Sequence, residues 1–222
     1  MSELSKKVGD LLDAEDLDSA VALVESAQNA DPLSAETWVL QSQLALKLKN
    51  TQGAMDAVQH ALRLSPDFPP AQYQMAYVLR AQSDVEGALD WYAQAFAGYP
   101  VLADSLGWCR VMVLVFAKYT LALPIAEYWT IHRPDEAAGW FMYGTCRLAI
   151  GQAASAQLLR AWSLDSSILD LPNNLGGAYL LEGDLVQAEH WLSLALERQP
   201  DDENTRSNRL LLQKLQSFAD DV

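Results

Sequence analysis

Few side chains in this sequence could take part in bond-making chemistry. The three histidines, His60, His132 and His190, are scattered and share no metal-ligand spacing with each other or with Cys109 and Cys146. A Cys–His nucleophile would need one of each type brought together by the fold, and no local pattern points to that. The carboxylate pairs Glu86 with Asp90 and Glu182 with Asp184 fall at turns or on exposed faces, where solvation explains them better than acid–base catalysis. Gly176-Gly177 lacks the remaining glycines and the lysine of a phosphate cradle. The expectation is a non-enzyme without a cofactor or a metal site.

Composition narrows the partners. The 222 residues are 50% hydrophobic and carry Asp+Glu 29 against Lys+Arg 15, a formal net charge of -14. That balance repels phosphate backbones, so no nucleic-acid partner is expected; an apolar partner with basic flanks suits it better. The most apolar run, Val111 to Ala117, is bounded by Arg110 and Lys118. A membrane helix needs about 20 apolar residues, so no insertion is expected. Both cysteines have apolar neighbours and read as buried free thiols of a reducing compartment. With no apolar stretch near Met1, a cytoplasmic location is expected.

The elements that position these residues repeat. Pro32, Pro66, Pro100 and Pro134 recur at 34-residue intervals, and Pro200 lies 66 beyond the last. Ala20, Ala54, Ala88, Ala122, Ala154 and Ala188 keep step, followed seven residues later by Ala27, Ala61, Ala95, Trp129, Ala161 and Ala195. Small residues seven apart share one helix face and let a second backbone come close. A proline cannot continue a helix, so each one closes a unit of two helices. Polar or glycine-containing turns such as Lys49–Gly53, Gln82–Asp84, Gly151-Gln152 and Glu182–Asp184 separate the two helices.

This pattern resembles the tetratricopeptide repeat family over nearly the whole chain. Leu175-Gly176, Tyr179, Gly183, Ala188, Leu192, Ala195 and Pro200 form one good copy. Trp38, Ala54, Ala61, Pro66 form another; Met75-Ala76, Ala88, Tyr92, Ala95, Pro100 a third; and Trp140, Gly144, Gly151, Ala154, Ala161 a fourth. The resemblance implies an all-α fold, a right-handed α-solenoid of about six helical hairpins plus a C-terminal capping helix. The repeats fall at about 1–34, 35–68, 69–102, 103–136, 137–168 and 169–202 of a single array spanning 1–222. The first is the poorest, since Gly9 and a run of acids break its opening helix, which is either frayed or a cap.

The capping helix covers 203–219, with Asp201 or Asp202 at its start and Leu211, Leu212, Leu215 and Phe218 facing the stack. Asp220 to Val222 should be loose. In the fifth unit Trp140 to Ala154 is 14 residues where Trp38 to Ala54 is 16. The fourth either runs ungapped, burying Arg110 at a small-residue position, or slides by two so that Trp108 takes the aromatic position; the slide is preferred because an unpaired buried guanidinium is costly. Trp129 at a small position and Pro124 within the second helix predict a local distortion, a widened groove or a self-assembly contact.

By the same resemblance, the first helices of successive hairpins line a hollow that receives a peptide or helix. Tyr73, Tyr77, Phe141 and Met142 would anchor an apolar segment, Arg80 and Arg110 would rim it, and Gln74, Thr145, Asn173 and Asn174 would supply hydrogen bonds. Arg80 alone cannot make the two-carboxylate clamp that one branch of the family uses on chaperone tails. The expected function is a protein–protein interaction scaffold or adaptor, chaperone-like, that holds an apolar or amphipathic segment of another protein. Two alternatives stand beside it: the regulatory or substrate-docking arm of a larger enzyme, and a self-assembling structural protein.

Overall fold

A computed structural model of the chain describes residues 2–100 and 105–220. Among these residues there are thirteen α-helices and no strand. None of the helices is long and apolar enough to cross a membrane. The chain forms two compact units, 1–101 and 102–222.

The first unit holds three hairpins: α1 (Glu3–Asp13) with α2 (Leu17–Ala30), α3 (Ala35–Lys47) with α4 (Thr51–Leu64), and α5 (Pro69–Ala81) with α6 (Val85–Gly98). Each turn inside a hairpin is built alike. One residue takes a left-handed conformation (Glu15, Lys49 or Ser83, φ 59 to 68°), and the next is Asp16, Asn50 or Asp84. That side chain accepts a hydrogen bond from the backbone N–H three residues on, at Ser19, Gly53 and Gly87, over 2.9–3.2 Å. An N-cap of this kind contributes about 1 kcal/mol to its helix.

The start of the first helix in a hairpin is tied to the closing proline. Trp38 Nε1 donates to the Pro32 carbonyl at 2.9 Å, Gln72 Nε2 to Pro66 at 3.0 Å, and Trp140 Nε1 to Pro134 at 2.9 Å. What reads in the sequence as an aromatic position is therefore a donor position, and a glutamine fills it equally well. Helix α1 is ordered, not frayed: Ser2 caps it, and Val8 and Leu12 are buried against Ala20, Val24, Leu40 and Leu44.

The second unit comprises α7 (Ser105–Leu114), α8 (Tyr119–His132), α9 (Ala137–Ala149), α10 (Ser155–Leu164), α11 (Leu171–Glu182), α12 (Leu185–Arg198) and α13 (Glu203–Asp220). Its regularities bend in three places. In α7 neither alignment of the fourth repeat matches the structure. Cys109 Sγ points to the Ala122 carbonyl at 3.7 Å, as Ser42 Oγ does to Ala54 at 2.8 Å, so Cys109 occupies the small position. The helix is displaced by one residue, and the turn absorbs it: Lys118 N reaches back six residues to Met112 O, where Asn50 and Asp84 reach back five. Arg110 is thereby left exposed.

In α8, Pro124 is exposed and the helix runs through it. The Trp129 indole lies over Gly139 of α9, where a methyl group would collide with its Cδ1, and its Nε1 donates to Glu136 at 2.9 Å. The distortion expected of Trp129 is thus relieved locally by a glycine, and the indole is half-buried inside its own unit.

In α10 the first turn is missing: the helix begins at Ser155, with Ala154 as its N-cap residue and no side chain of its own in that role. Glu182, at the end of α11, supplies the cap instead. Its carboxylate accepts from Ala154 N at 2.9 Å, Ser155 N at 3.0 Å and Ser155 Oγ at 2.6 Å. Burial pushes the Glu182 carboxyl up, but these bonds from Ser155 and Ala154 outweigh it and hold the group below the ordinary glutamate value.

Helix α13 is capped by Asp202, which accepts from Thr205 N at 2.7 Å. Leu212 packs fully into the Ala188–Leu192 cluster and Leu215 is half-buried, whereas Leu211 and Phe218, expected to face the stack, are 47% and 70% exposed. Thr205 and Asn208 take the inward places that the leucine pattern suggested for those two, with Thr205 buried and Asn208 bonded to α11. Helix geometry carries through Asp220; residues 221–222 of the tail expected to be loose lie outside the described residues.

Candidate partner-binding groove

Residues three or four apart share a helix face. On α1 that face presents Ser2, Ser5, Gly9 and Asp13; on α3, Glu36, Val39 and Gln43; on α5, Pro70, Tyr73 and Tyr77. All of these but Tyr77 line a cavity of about 900 Å³, together with Phe68, Pro69 and Tyr99. A second hollow of about 480 Å³ continues it past Leu12, Leu46 and Tyr77, and Gly9, Asp13 and Gln43 line both. The space over Gly9 is open, since a Cβ added there would meet nothing within 4 Å. A glycine inside a helix costs about 1 kcal/mol relative to alanine, so an open groove is the one visible return for that weakness.

The floor is stiff. Tyr73 and Tyr77 are half-buried and both rest on Tyr92 of α6, with ring centroids 6.0 and 5.7 Å away. Arg80, exposed, lays its guanidinium over the Tyr77 ring at 4.8 Å. Gln74 is buried beneath them and donates to Ser42 Oγ at 3.0 Å, which in turn donates to the Ala54 carbonyl. Gln74 therefore joins α5 to α3, supporting the groove from behind while it also lines the second hollow. Aromatic rings fixed in this way offer contact area with little rotamer entropy left to lose.

The rim is charged. Asp10, Asp13 and Glu36 face the cavity against Lys6. The hydroxyls of Ser2 and Ser5 both donate to Glu36 Oε1, which fixes that carboxylate at the start of α3.

A family model described as the tetratricopeptide repeat matches residues 7–69, the stretch that contains α1 to α4. That stretch is tetratricopeptide-repeat sequence. Among solved structures, the chain is similar to YrrB, described as a TPR protein with an unusual peptide-binding site. The two are 18% identical with a TM-score of 0.57, over 84% of this chain and 97% of that one. It is also similar to a chain of Naa15/Naa10 bound to HypK-THB, at 13% identity and a TM-score of 0.68, over 98% of this chain and 34% of that one. The chain thus spans about a third of that second chain. At such identities the likeness is one of fold. No curated protein matches it in sequence.

The remaining candidate residues sit in the second unit, and the two hollows described above do not include them. Phe141 and Met142, expected as anchors, are 7% and 2% exposed. Helix α9 packs against α7, α8, α10 and α11. Thr145 Oγ1 accepts from Asn174 Nδ2 at 2.9 Å, and Asn173 Oδ1 accepts from Asn208 Nδ2 at 2.9 Å. Those polar groups tie α9, α11 and α13 together. Cys109 and Cys146 are free, buried thiols; the Cys146 side chain, with burial added, pushes the Cys109 thiol up, away from reactivity.

Sequence reasoning missed the α1 side of the groove because Gly9, Asp10 and Asp13 depart from the repeat pattern. The departure was itself the signal, since residues that would weaken a packed helix are tolerated on a face that packs against nothing.

Proposed function

We propose that this chain is a protein–protein interaction scaffold whose first unit holds an apolar or amphipathic segment of a partner along α1, α3 and α5. The observation that carries the reading is the open, apolar-floored cavity with its tyrosines fixed from behind by Tyr92. Tyr73 and Tyr77 act as the anchors, Arg80 stands at one end, and Gln74 keeps the floor in place. The peptide-binding site named for YrrB is in keeping with this use of the fold. The role is that of an adaptor or chaperone-like holder, with no bond-making step.

Selection of short random displayed peptides against the full chain tests it. Bound sequences should lose at least about tenfold in affinity to Gly9→Leu, which fills the passage with a side chain, and to Tyr73→Ala, which removes an anchor. Gly9→Leu should leave the thermal melt unchanged or raise it, because the site is open and leucine is the better helix former. Peptides that bind Gly9→Leu and the parent equally well would overturn the proposal.

A further inference from the structure

Resting on that reading, we infer that the groove selects a segment carrying an arginine or lysine next to its apolar anchor, with arginine preferred. Three features of the cavity lead there. The floor contributed by Val39, Phe68 and Tyr73 is apolar and suits a leucine, phenylalanine or proline of the guest. The rim of the larger cavity sets three carboxylates, Asp10, Asp13 and Glu36, against the ammonium of Lys6, and the continuing hollow adds that of Lys47. An anionic or neutral guest would leave that excess of negative charge uncompensated beside an apolar surface.

Glu36 is the best defined of the three. Its Oε1 accepts from the Ser2 and Ser5 hydroxyls, so the carboxylate is held in place, and among the described residues no hydrogen bond reaches its Oε2. A fixed carboxylate with one oxygen uncommitted receives a cation at a lower entropic cost than a mobile one. Tyr99, 64% exposed and lining the cavity, adds an aromatic face. A guanidinium can lie on such a face while it bonds a carboxylate, which a lysine ammonium does less well. An acidic tail is disfavoured by the same rim.

Matched fluorescent peptides, sharing one apolar core and differing only in whether the flanking positions are Arg, Gln or Glu, give the test by polarisation on the full chain. The Arg peptide should bind about tenfold tighter than the Glu peptide at low salt, with Gln between, and added salt should narrow the gap. The double variant Asp10→Asn/Glu36→Gln should lose most of the gap while melting as the parent does. A gap that survives in the double variant would trace to the overall charge of -14 and overturn the inference. If all three peptides bind equally and are all lost in Gly9→Leu, the groove stands and its charge preference falls. If none binds, or Gly9→Leu changes nothing, both fall.

Discussion

Trp129 and Gly139 divide between them the space that Ala61 and Ala71 share at the matching place, 68 residues earlier. The missing Cβ of Gly139 offsets part of the added bulk of the indole, which is how cores tolerate a large substitution. The pair is accordingly coupled. Gly139→Ala should cost about 1–3 kcal/mol by overpacking against the indole, and Trp129→Ala should cost on the order of 2 kcal/mol through the void it leaves. The double change restores an alanine pair and should be clearly more stable than the two losses added together. Urea unfolding of the four proteins measures the coupling, and simple additivity would show that the two side chains do not share one space. Trp129 was conspicuous in the sequence as a misfit, but Gly139 was not: a glycine ten residues away carries no mark that says which side chain it makes room for. The same holds for Cys109, whose equivalence to Ser42 is visible only once both are seen pointing at the carbonyls of Ala54 and Ala122.

At the scale of helices, spacing told most of what mattered. The proline and alanine registers announced paired helices, and the 14-residue interval from Trp140 to Ala154 announced a shortened α10. What compensates for the lost turn was not legible, because Glu182 lies 27 residues beyond Ser155 and looks like any carboxylate at a turn. The one-residue displacement of α7 was also hidden, since it is taken up in a turn whose conformation no residue type dictates. Glu182→Ala should lower stability by about 1 kcal/mol at neutral pH, the usual worth of an N-cap. The folded-state pKa of Glu182 lies below its unfolded value, so its contribution is fully present above the unfolded value, about 4.3, and disappears as the pH falls through the lower folded one. Thermal melts of parent and variant should therefore differ at neutral pH and converge in acid. A constant difference across that range would mean that the ionised carboxylate is not what holds α10.

For the molecule as a whole, an acidic, cysteine-poor, all-helical chain without catalytic spacing pointed to binding as its occupation. The first unit gives that expectation a place. Repeat logic directs attention to the good copies, and in one of them, the fifth unit, the expected anchors Phe141 and Met142 are buried. The poorest copy, α1, supplies a wall of the groove, and its glycine and acids are groove features before they are helix defects. The most direct measurement is amide chemical-shift mapping of the full chain with a selected peptide. The largest changes are predicted at Gly9, Asp13, Glu36, Gln43 and Tyr73, across three helices of one hollow. Changes gathered on α2, α4 and α6, or confined to residues 105–220, would contradict it.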